Sequence, residues 1–242
     1  MNPLLELARE RLRGKRVIAV MSAKGGVGKS TVASLIALNL SERQNTAIID
    51  LDIYGNSTLK LFGISKLHGV SKNGIEPFKV GNVSIFSIGG IVGDRYVVLT
   101  GSEEGNVLES LLGLSNVNEE TVIIDMPPGM GEELLTLKRV VNPEVFLVTL
   151  PSKLSVMTVK HMLDYLLDSK IEVKRIIANM CYLKTPEGLI YPFGKPDIVE
   201  DLGKKHGIRV EHLPVDPELE NFAGRIQEYS GVLKEEVRKF LS

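Results

Sequence analysis

The chain has 242 residues, 43% of them hydrophobic and 24% charged, the composition of a globular protein with a substantial core. Its 29 basic and 30 acidic residues leave a formal charge of −1, so no overall positive field draws it to nucleic acid or to an anionic membrane. A single cysteine, Cys181, excludes an internal disulfide and fits a reducing cytoplasm, and no run of about eighteen uncharged apolar residues exists to span a bilayer. The opening stretch Met1–Glu10 carries charges inside a short apolar segment, unlike a secretory signal.

In chain order, β-branched runs alternate with helical patterns. Arg16–Met21 reads as a strand, Met21–Thr31 as a glycine-rich turn and Val32–Leu40 as a helix. Thr46–Asp50 is a second strand, followed by the polar loop Leu51–Thr58. Residues 64–95 are glycine-rich and irregular, with one strand at Val83–Ser87. The apolar run Tyr96–Thr100 comes next, then a helix near Asn106–Leu114 and the strongly apolar strand Thr121–Asp125. Glu133–Val141 reads as a helix, Glu144–Leu150 as a strand and Val156–Leu167 as a helix whose apolar residues share one face of a 3.6-residue repeat. Val173–Asn179 is a strand, Asp197–His206 a helix and Gly207–Leu213 the last strand. Helices at Pro217–Gln227 and Val232–Leu241 close the pattern. Apolar strands separated by helices predict a doubly wound α/β fold, one mostly parallel sheet with helices on both faces. No repeat, linker or low-complexity tract divides the chain, so residues 1–242 are expected to form a single domain.

In such sheets ligands sit beyond the carboxyl ends of the strands, and the chemistry-bearing residues fall there. Met21-Ser-Ala-Lys-Gly-Gly-Val-Gly-Lys-Ser-Thr31 joins the first strand to the first helix. Glycines let the backbone curl so that successive N–H groups face phosphate oxygens, and the helix adds its positive end. The expected cradle comprises Ala23, Lys24, Gly25, Gly26, Val27, Gly28, Lys29, Ser30 and Thr31. Lys29 would reach the β- and γ-phosphates and the Ser30 hydroxyl would ligate Mg²⁺. Ordinary phosphate-loop spacing asks for glycine where Ala23 stands and requires no lysine at Lys24. Asp125 ends an apolar strand and precedes Met-Pro-Pro-Gly-Met-Gly131. An aspartate so placed holds Mg²⁺ directly or through water, and the Gly129 amide is expected to sense a γ-phosphate. Asp50 and Asp52 bracket Leu51, and alternation along an extended backbone puts both carboxylates on one side.

These segments, with Ala178-Asn-Met180 and Leu213-Pro-Val-Asp-Pro217, follow one another in an order that resembles the Mrp family of iron–sulfur cluster carrier ATPases, a branch of the ParA/MinD-like ATPases with a deviant phosphate loop. The resemblance runs from Lys15 to Phe240, and the Asp52-Ile-Tyr-Gly and Asp125-Met-Pro-Pro-Gly-Met-Gly runs favour this branch over the partitioning and division-site branches. It implies a homodimer with ATP at the interface, slow ATP hydrolysis, and iron–sulfur acceptor or assembly proteins as partners. By the same resemblance Lys24 would cross onto the partner's nucleotide, Asp52 would position the attacking water and Asp50 would sit in the outer shell of Mg²⁺. Ser30, Asp50, Asp52 and Asp125 then form the expected metal neighbourhood. Asn179 would hydrogen-bond the adenine edge, with Pro214, Val215 and Asp216 flanking the base. The alternative is a positioning ATPase acting on a membrane or nucleoid surface. Against it, Glu235 and Glu236 interrupt the basic face of the terminal helix, which is therefore expected to dock on the core.

Two departures from the family pattern stand out. The Mrp branch usually carries a Cys-x-x-Cys shortly after its Asn-Met motif, bridging a cluster across the dimer. Here the region reads Cys181-Tyr-Leu-Lys-Thr-Pro-Glu-Gly-Leu-Ile-Tyr-Pro-Phe-Gly194. Iron–sulfur clusters usually take four thiolates, whereas this chain offers one cysteine per subunit. No stable cluster held by this chain alone is expected, and Cys181 reads as a small buried filler. The second departure is Leu99–Asn106, which replaces an aromatic and arginine pattern and bears on partner contacts. His68, His161, His206 and His212 are scattered without ligand spacing.

Overall fold

The computed structural model describes residues 2–53, 55–93 and 101–241. Tyr54 and the apolar run Tyr96–Thr100 lie outside the described residues. Helix α1 (Pro3–Leu12) begins with the Asn2 side chain accepting the Leu4 N–H and with Pro3 in the first turn, where a missing N–H costs nothing. Strand β1 (Arg16–Ser22) and helix α2 (Lys29–Ser41) flank the glycine-rich turn, and β2 (Thr46–Asp50) follows. Helix α3 (Ser57–Phe62) leads to a small hairpin, β3 (Val70–Ser71) and β4 (Gly74–Ile75). Then come β5 (Phe78–Val80), β6 (Val83–Ser87), the one-turn α4 (Gly89–Val92), α5 (Gly101–Leu114), β7 (Thr121–Asp125) and α6 (Glu132–Val140). The second half runs β8 (Glu144–Thr149), α7 (Lys153–Asp168), β9 (Val173–Ala178) and a hairpin of β10 (Leu183–Thr185) and β11 (Gly188–Ile190). Helix α8 (Asp197–His206), β12 (Arg209–His212), two 3₁₀ turns and α9 (Val232–Leu241) complete it.

Eight strands form one sheet in the order β12-β9-β8-β1-β7-β2-β6-β5, all parallel except β5, which returns antiparallel against β6. Side-chain alternation along β1 divides the interior into two apolar layers. Ala19 and Met21 point to the layer covered by α1, α5, α6, α7 and α8. Ile18 and Val20 point to the layer covered by α2, α3 and α9. Parallel strands buried on both faces explain the unbroken apolar runs in β2, β7 and β8. Register matters most at the rim: Asp125 lies opposite Val20 of β1 on one side and Asp50 of β2 on the other. The expected doubly wound sheet is therefore present, and the carboxyl ends of β1, β7 and β2 stand side by side.

The differences from the sequence reading are local. Helices α1 and α3 went unanticipated, and residues 64–93 contain β3, β4, β5 and α4 besides the expected strand. The helix expected over Pro217–Gln227 is two 3₁₀ turns, Pro217–Phe222 and Ile226–Glu228. Gly224 interrupts it at φ +82°, and its carbonyl abuts Gly63, leaving no space there for a Cβ. Helix α9 docks as expected: Leu233, Val237 and Phe240 are buried, Phe240 meets Phe146 edge-on, and Asn39 of α2 donates to the Lys234 carbonyl. Among the described residues no helix is long and apolar enough to cross a membrane.

His68 organises the irregular segment. Its Nε2 accepts the Ser87 N–H at 3.1 Å, so Nδ1 carries the proton and donates to the Glu76 carbonyl at 2.8 Å. The ring stacks on Phe78 with centroids 4.0 Å apart. Burial holds the imidazole below its ordinary pKa. An unfolded chain takes up this proton near pH 6.5, before the folded one does, so stability contributed by neutral His68 is present above that pH and declines below it. Urea unfolding between pH 7.5 and 5 is expected to show a steeper acid-side loss in wild type than in His68→Gln, and equal slopes would exclude this origin.

Candidate nucleotide-binding site

The rim is built from three strand ends and the turn that leaves β1. Gly26 and Gly28 adopt left-handed φ values of +79° and +83°, which L side chains resist. A Cβ on Gly28 would also collide with the Asn179 side-chain amide. No side chain caps α2 at Gly28, so the N–H groups of its first turn and the positive helix end are directed at whatever occupies the turn. The turn is braced on the far side, where the Ser22 hydroxyl donates to the Lys24 carbonyl at 3.0 Å.

Lys29 is 6% exposed and its ammonium forms an ion pair with Asp125, which is fully buried. The same ammonium donates to the Ser30 hydroxyl at 3.3 Å. The other Asp125 oxygen, Oδ2, accepts the Thr58 hydroxyl at 3.1 Å. Beside it, Asp50 Oδ1 accepts the Asp52 N–H at 2.9 Å and Oδ2 accepts the Thr58 N–H at 3.2 Å. Burial pushes the Asp50 carboxyl up to about 8, and the Asp125 charge adds to that shift. Asp52 turns the chain back on itself, its Oδ1 accepting the Gly55 N–H at 2.8 Å.

Lys29, Ser30 and Asp52 border a cleft of about 400 Å³ lined by Lys24, Gly25, Gly26, Gly28, Lys29, Ser30 and Thr31 on one side and by Asp52, Lys60, Leu61, Pro128 and Ala223 on the other, while Asp50, Asp125 and Thr58 are fully buried behind that lining. Ala23 and Val27 instead face Thr149 and Val159 behind the turn. The Gly129 amide, expected to sense a γ-phosphate, donates to the Ser22 carbonyl at 2.8 Å in this arrangement. Asn179 Nδ2 donates to the Val27 carbonyl at 2.8 Å, while its buried Oδ1 has no partner among the described residues. Pro214, Val215 and Asp216 run beside it, since Leu213 N–H reaches Ala178 and Val215 N–H reaches Tyr182. Asp216 accepts the Glu218 N–H and the Tyr229 hydroxyl. Asn179 and residues 214–216 therefore share the rim but do not line the cleft itself. Sequence reasoning missed Lys60, Leu61 and Ala223, which reach the cleft only through the close approach of α3 and the segment after Phe222 to the turn, and it missed Thr58, which is buried beneath the cleft against Asp50 and Asp125.

Cys181 follows two residues after Asn179 and is fully buried. Its thiol donates to the Ala178 carbonyl at 3.0 Å, and burial pushes it up to about 12. The hairpin β10–β11 comes immediately after, with Leu189 and Ile190 exposed on it and Phe193 exposed just beyond it.

A glycine cradle at a helix N-terminus, a buried lysine at its head and an aspartate ending the neighbouring strand define a P-loop NTPase site on a doubly wound sheet. The model of the ParA family described as the NUBPL iron-transfer P-loop NTPase matches residues 13–237, and the chain belongs to that family. It is 32% identical over 232 residues to an iron–sulfur cluster carrier protein of Rickettsia typhi, covering 94% of this chain and 70% of the relative. It is also similar to a nucleotide-binding protein from Archaeoglobus fulgidus solved in complex with ADP, with 30% identity, a TM-score of 0.81 and 94% of each chain covered. The cell division ATPase MinD of Pyrococcus furiosus, at 18% identity and a TM-score of 0.65 over 93% of this chain and 99% of that one, shares the fold.

Gly28→Ala is expected to weaken ADP binding by about tenfold or more, because a left-handed L residue costs on the order of 1–2 kcal/mol before the collision with Asn179 is added. Titration with a fluorescent ADP derivative measures this, with circular dichroism as the folding control.

Proposed function

We propose that this chain is an ATPase of iron–sulfur cluster assembly that binds ATP with Mg²⁺ and hydrolyses it slowly as a homodimer. The observation that supports this best is the convergence of Lys29 and Asp125 across neighbouring strand ends, one suited to phosphate and the other to a metal. The residues suit both ligands: the uncapped start of α2 offers N–H groups to phosphate, and Asn179 Oδ1, without a partner among the described residues, offers an acceptor to a purine amine. Ser30 and Asp125 would hold Mg²⁺, with Asp50 and Asp52 beside them, and the bound ion supplies positive charge to the phosphates. Lys29 exchanges Asp125 for the β- and γ-phosphates on nucleotide entry. Asp52 orients the attacking water, and Lys24 reaches the nucleotide of the second subunit, as an arginine finger does from a partner. Asn179 reads the adenine edge, with Pro214, Val215 and Asp216 flanking the base.

In cluster assembly, the nucleotide state of the dimer would control contact with acceptor or assembly proteins in the cytoplasm. Cys181 is a poor ligand on its own, because metals take the thiolate and burial holds this thiol protonated. The positioning-ATPase alternative gains little support from α9, whose apolar face is consumed by the core. Co-sedimentation of the ATP-loaded protein with liposomes or DNA is expected to be negative.

Lys24→Ala is expected to keep the fold and most nucleotide affinity while losing ATP-dependent dimerisation and turnover. Lys29→Ala is expected to abolish nucleotide binding, whereas Asp52→Ala binds ATP and accumulates as a dimer in size-exclusion chromatography. Normal hydrolysis by Lys24→Ala, or failure of Asp52→Ala to bind ATP, refutes the corresponding role.

A second experiment addresses cargo. Anaerobic reconstitution with iron counting and visible absorption is expected to yield no stoichiometric cluster on this chain alone, and Cys181→Ser retains ATPase activity. A stoichiometric cluster lost in Cys181→Ser would show carrier chemistry by a route that includes this thiol.

A further inference from the structure

Thr58 belongs to no recognised nucleotide motif of the chain, yet it touches both buried carboxylates of the rim. It lies in the first turn of α3 and is fully buried. Its N–H donates to Asp50 Oδ2 at 3.2 Å and its hydroxyl donates to Asp125 Oδ2 at 3.1 Å. Asp125 Oδ1 faces the opposite way, toward Lys29 and the phosphate turn. The two oxygens of one carboxylate are thus divided between a fixed protein donor and the ligand side.

We infer that Thr58 is a positioning residue that leaves Asp125 a single oxygen for a cation, and so biases the site toward Mg²⁺ over Ca²⁺. The inference rests on the proposed nucleotide–metal reading of the cleft and adds a determinant of metal choice. Mg²⁺ is small, requires near-octahedral geometry and takes one oxygen from a carboxylate, whereas Ca²⁺ takes six to eight oxygens and accepts both oxygens of one carboxylate. A carboxylate whose second oxygen is held by a buried hydroxyl forfeits the two-oxygen mode. Rotating Asp125 to recover that mode would leave the Thr58 hydroxyl unpaired in a water-free place, which is costly.

The surroundings make this division rigid. The Asp125 backbone is pinned on both sides, since β7 pairs with β1 and β2 and the Asp125 carbonyl accepts the Leu51 N–H at 2.9 Å. Thr58 is pinned through its own N–H to Asp50, and a β-branched side chain has little freedom at χ1. Lys60, two residues further along α3, donates to the Gly55 carbonyl at 3.1 Å and ties the helix to the loop that carries Asp52. The hydroxyl is therefore delivered to Asp125 by a braced helix.

The test compares wild type, Thr58→Val and Thr58→Ser by calorimetric titration of MgCl₂ and CaCl₂ into the ADP-saturated full chain. Valine keeps the shape and removes the hydroxyl; serine restores it. The expected result is that Thr58→Val lowers the preference for Mg²⁺ over Ca²⁺ by about tenfold, the scale of one hydrogen bond to a charged group, while Thr58→Ser stays near wild type. Thermal melting of the ADP complex with each metal reads the same preference, and Thr58→Ala supplies a second hydroxyl deletion should valine fail to fold. An unchanged preference in the deletion variants, or equal weakening of both metals, overturns the inference and leaves Thr58 a structural residue. Absence of any Mg²⁺ uptake by ADP-bound wild type would instead overturn the nucleotide–metal reading on which it rests.

Discussion

The buried ion pair between Lys29 and Asp125 is the constraint around which the rim is arranged. Two charges removed from water lose hydration, and their mutual attraction compensates only if remaining donors and acceptors are also satisfied. That requirement explains the Ser30 and Thr58 hydroxyls, which complete the shells of the lysine and the aspartate. Removing one partner of such a pair typically costs about 3–5 kcal/mol, since the other is left buried and uncompensated. An arrangement so expensive to leave half-made is suited to exchange partners with a phosphate and a cation, which replace each charge in turn.

The sheet makes that pair possible. Lys29 begins the helix that follows β1 and Asp125 ends β7, so their meeting depends on β7 lying next to β1 in parallel register. Strand β2 on the other side of β7 brings Asp50 opposite Asp125 and so assembles a second buried carboxylate, which burial drives toward its neutral form. Asp50 then works as an anchor: its two oxygens hold the backbone at Asp52 and at Thr58. The two apolar layers, one under α1 and α5–α8 and one under α2, α3 and α9, keep these strand ends from moving independently.

Membership of an iron-transfer family sits beside a region that departs from the Mrp pattern. The paired cysteines of that pattern are missing: Cys181, which stands several residues earlier than the pair would, is buried and hydrogen-bonded to the Ala178 carbonyl, and a short hairpin with apolar side chains in solvent follows it. The two regions are separate in physical terms. The phosphate turn and its charges are held on adjacent strands of the large sheet, whereas Leu189 and Ile190 are exposed on a two-stranded hairpin outside it.

Read by itself, the sequence determined the strand–helix alternation, the phosphate turn and the aspartate at the end of each of β2 and β7. These depend on local periodicity, glycine placement and β-branched runs, which act over a few residues. Val83–Ser87, Thr121–Asp125, Asp197–His206 and Val232–Leu241 needed no tertiary information for that reason. Tertiary structure alone decided that Pro217–Gln227 breaks into two 3₁₀ turns, because the backbone of Gly224 must pass against Gly63 in a distant segment. It also decided that His68 holds the stretch around Glu76 to β6, and that Thr58 reaches Asp125 across 67 residues of sequence. A hydroxyl in a polar loop carries no periodic signal of its partner. Which carboxylate it meets is settled by strand order and register, and those emerge only when the apolar faces of the whole sheet are buried together.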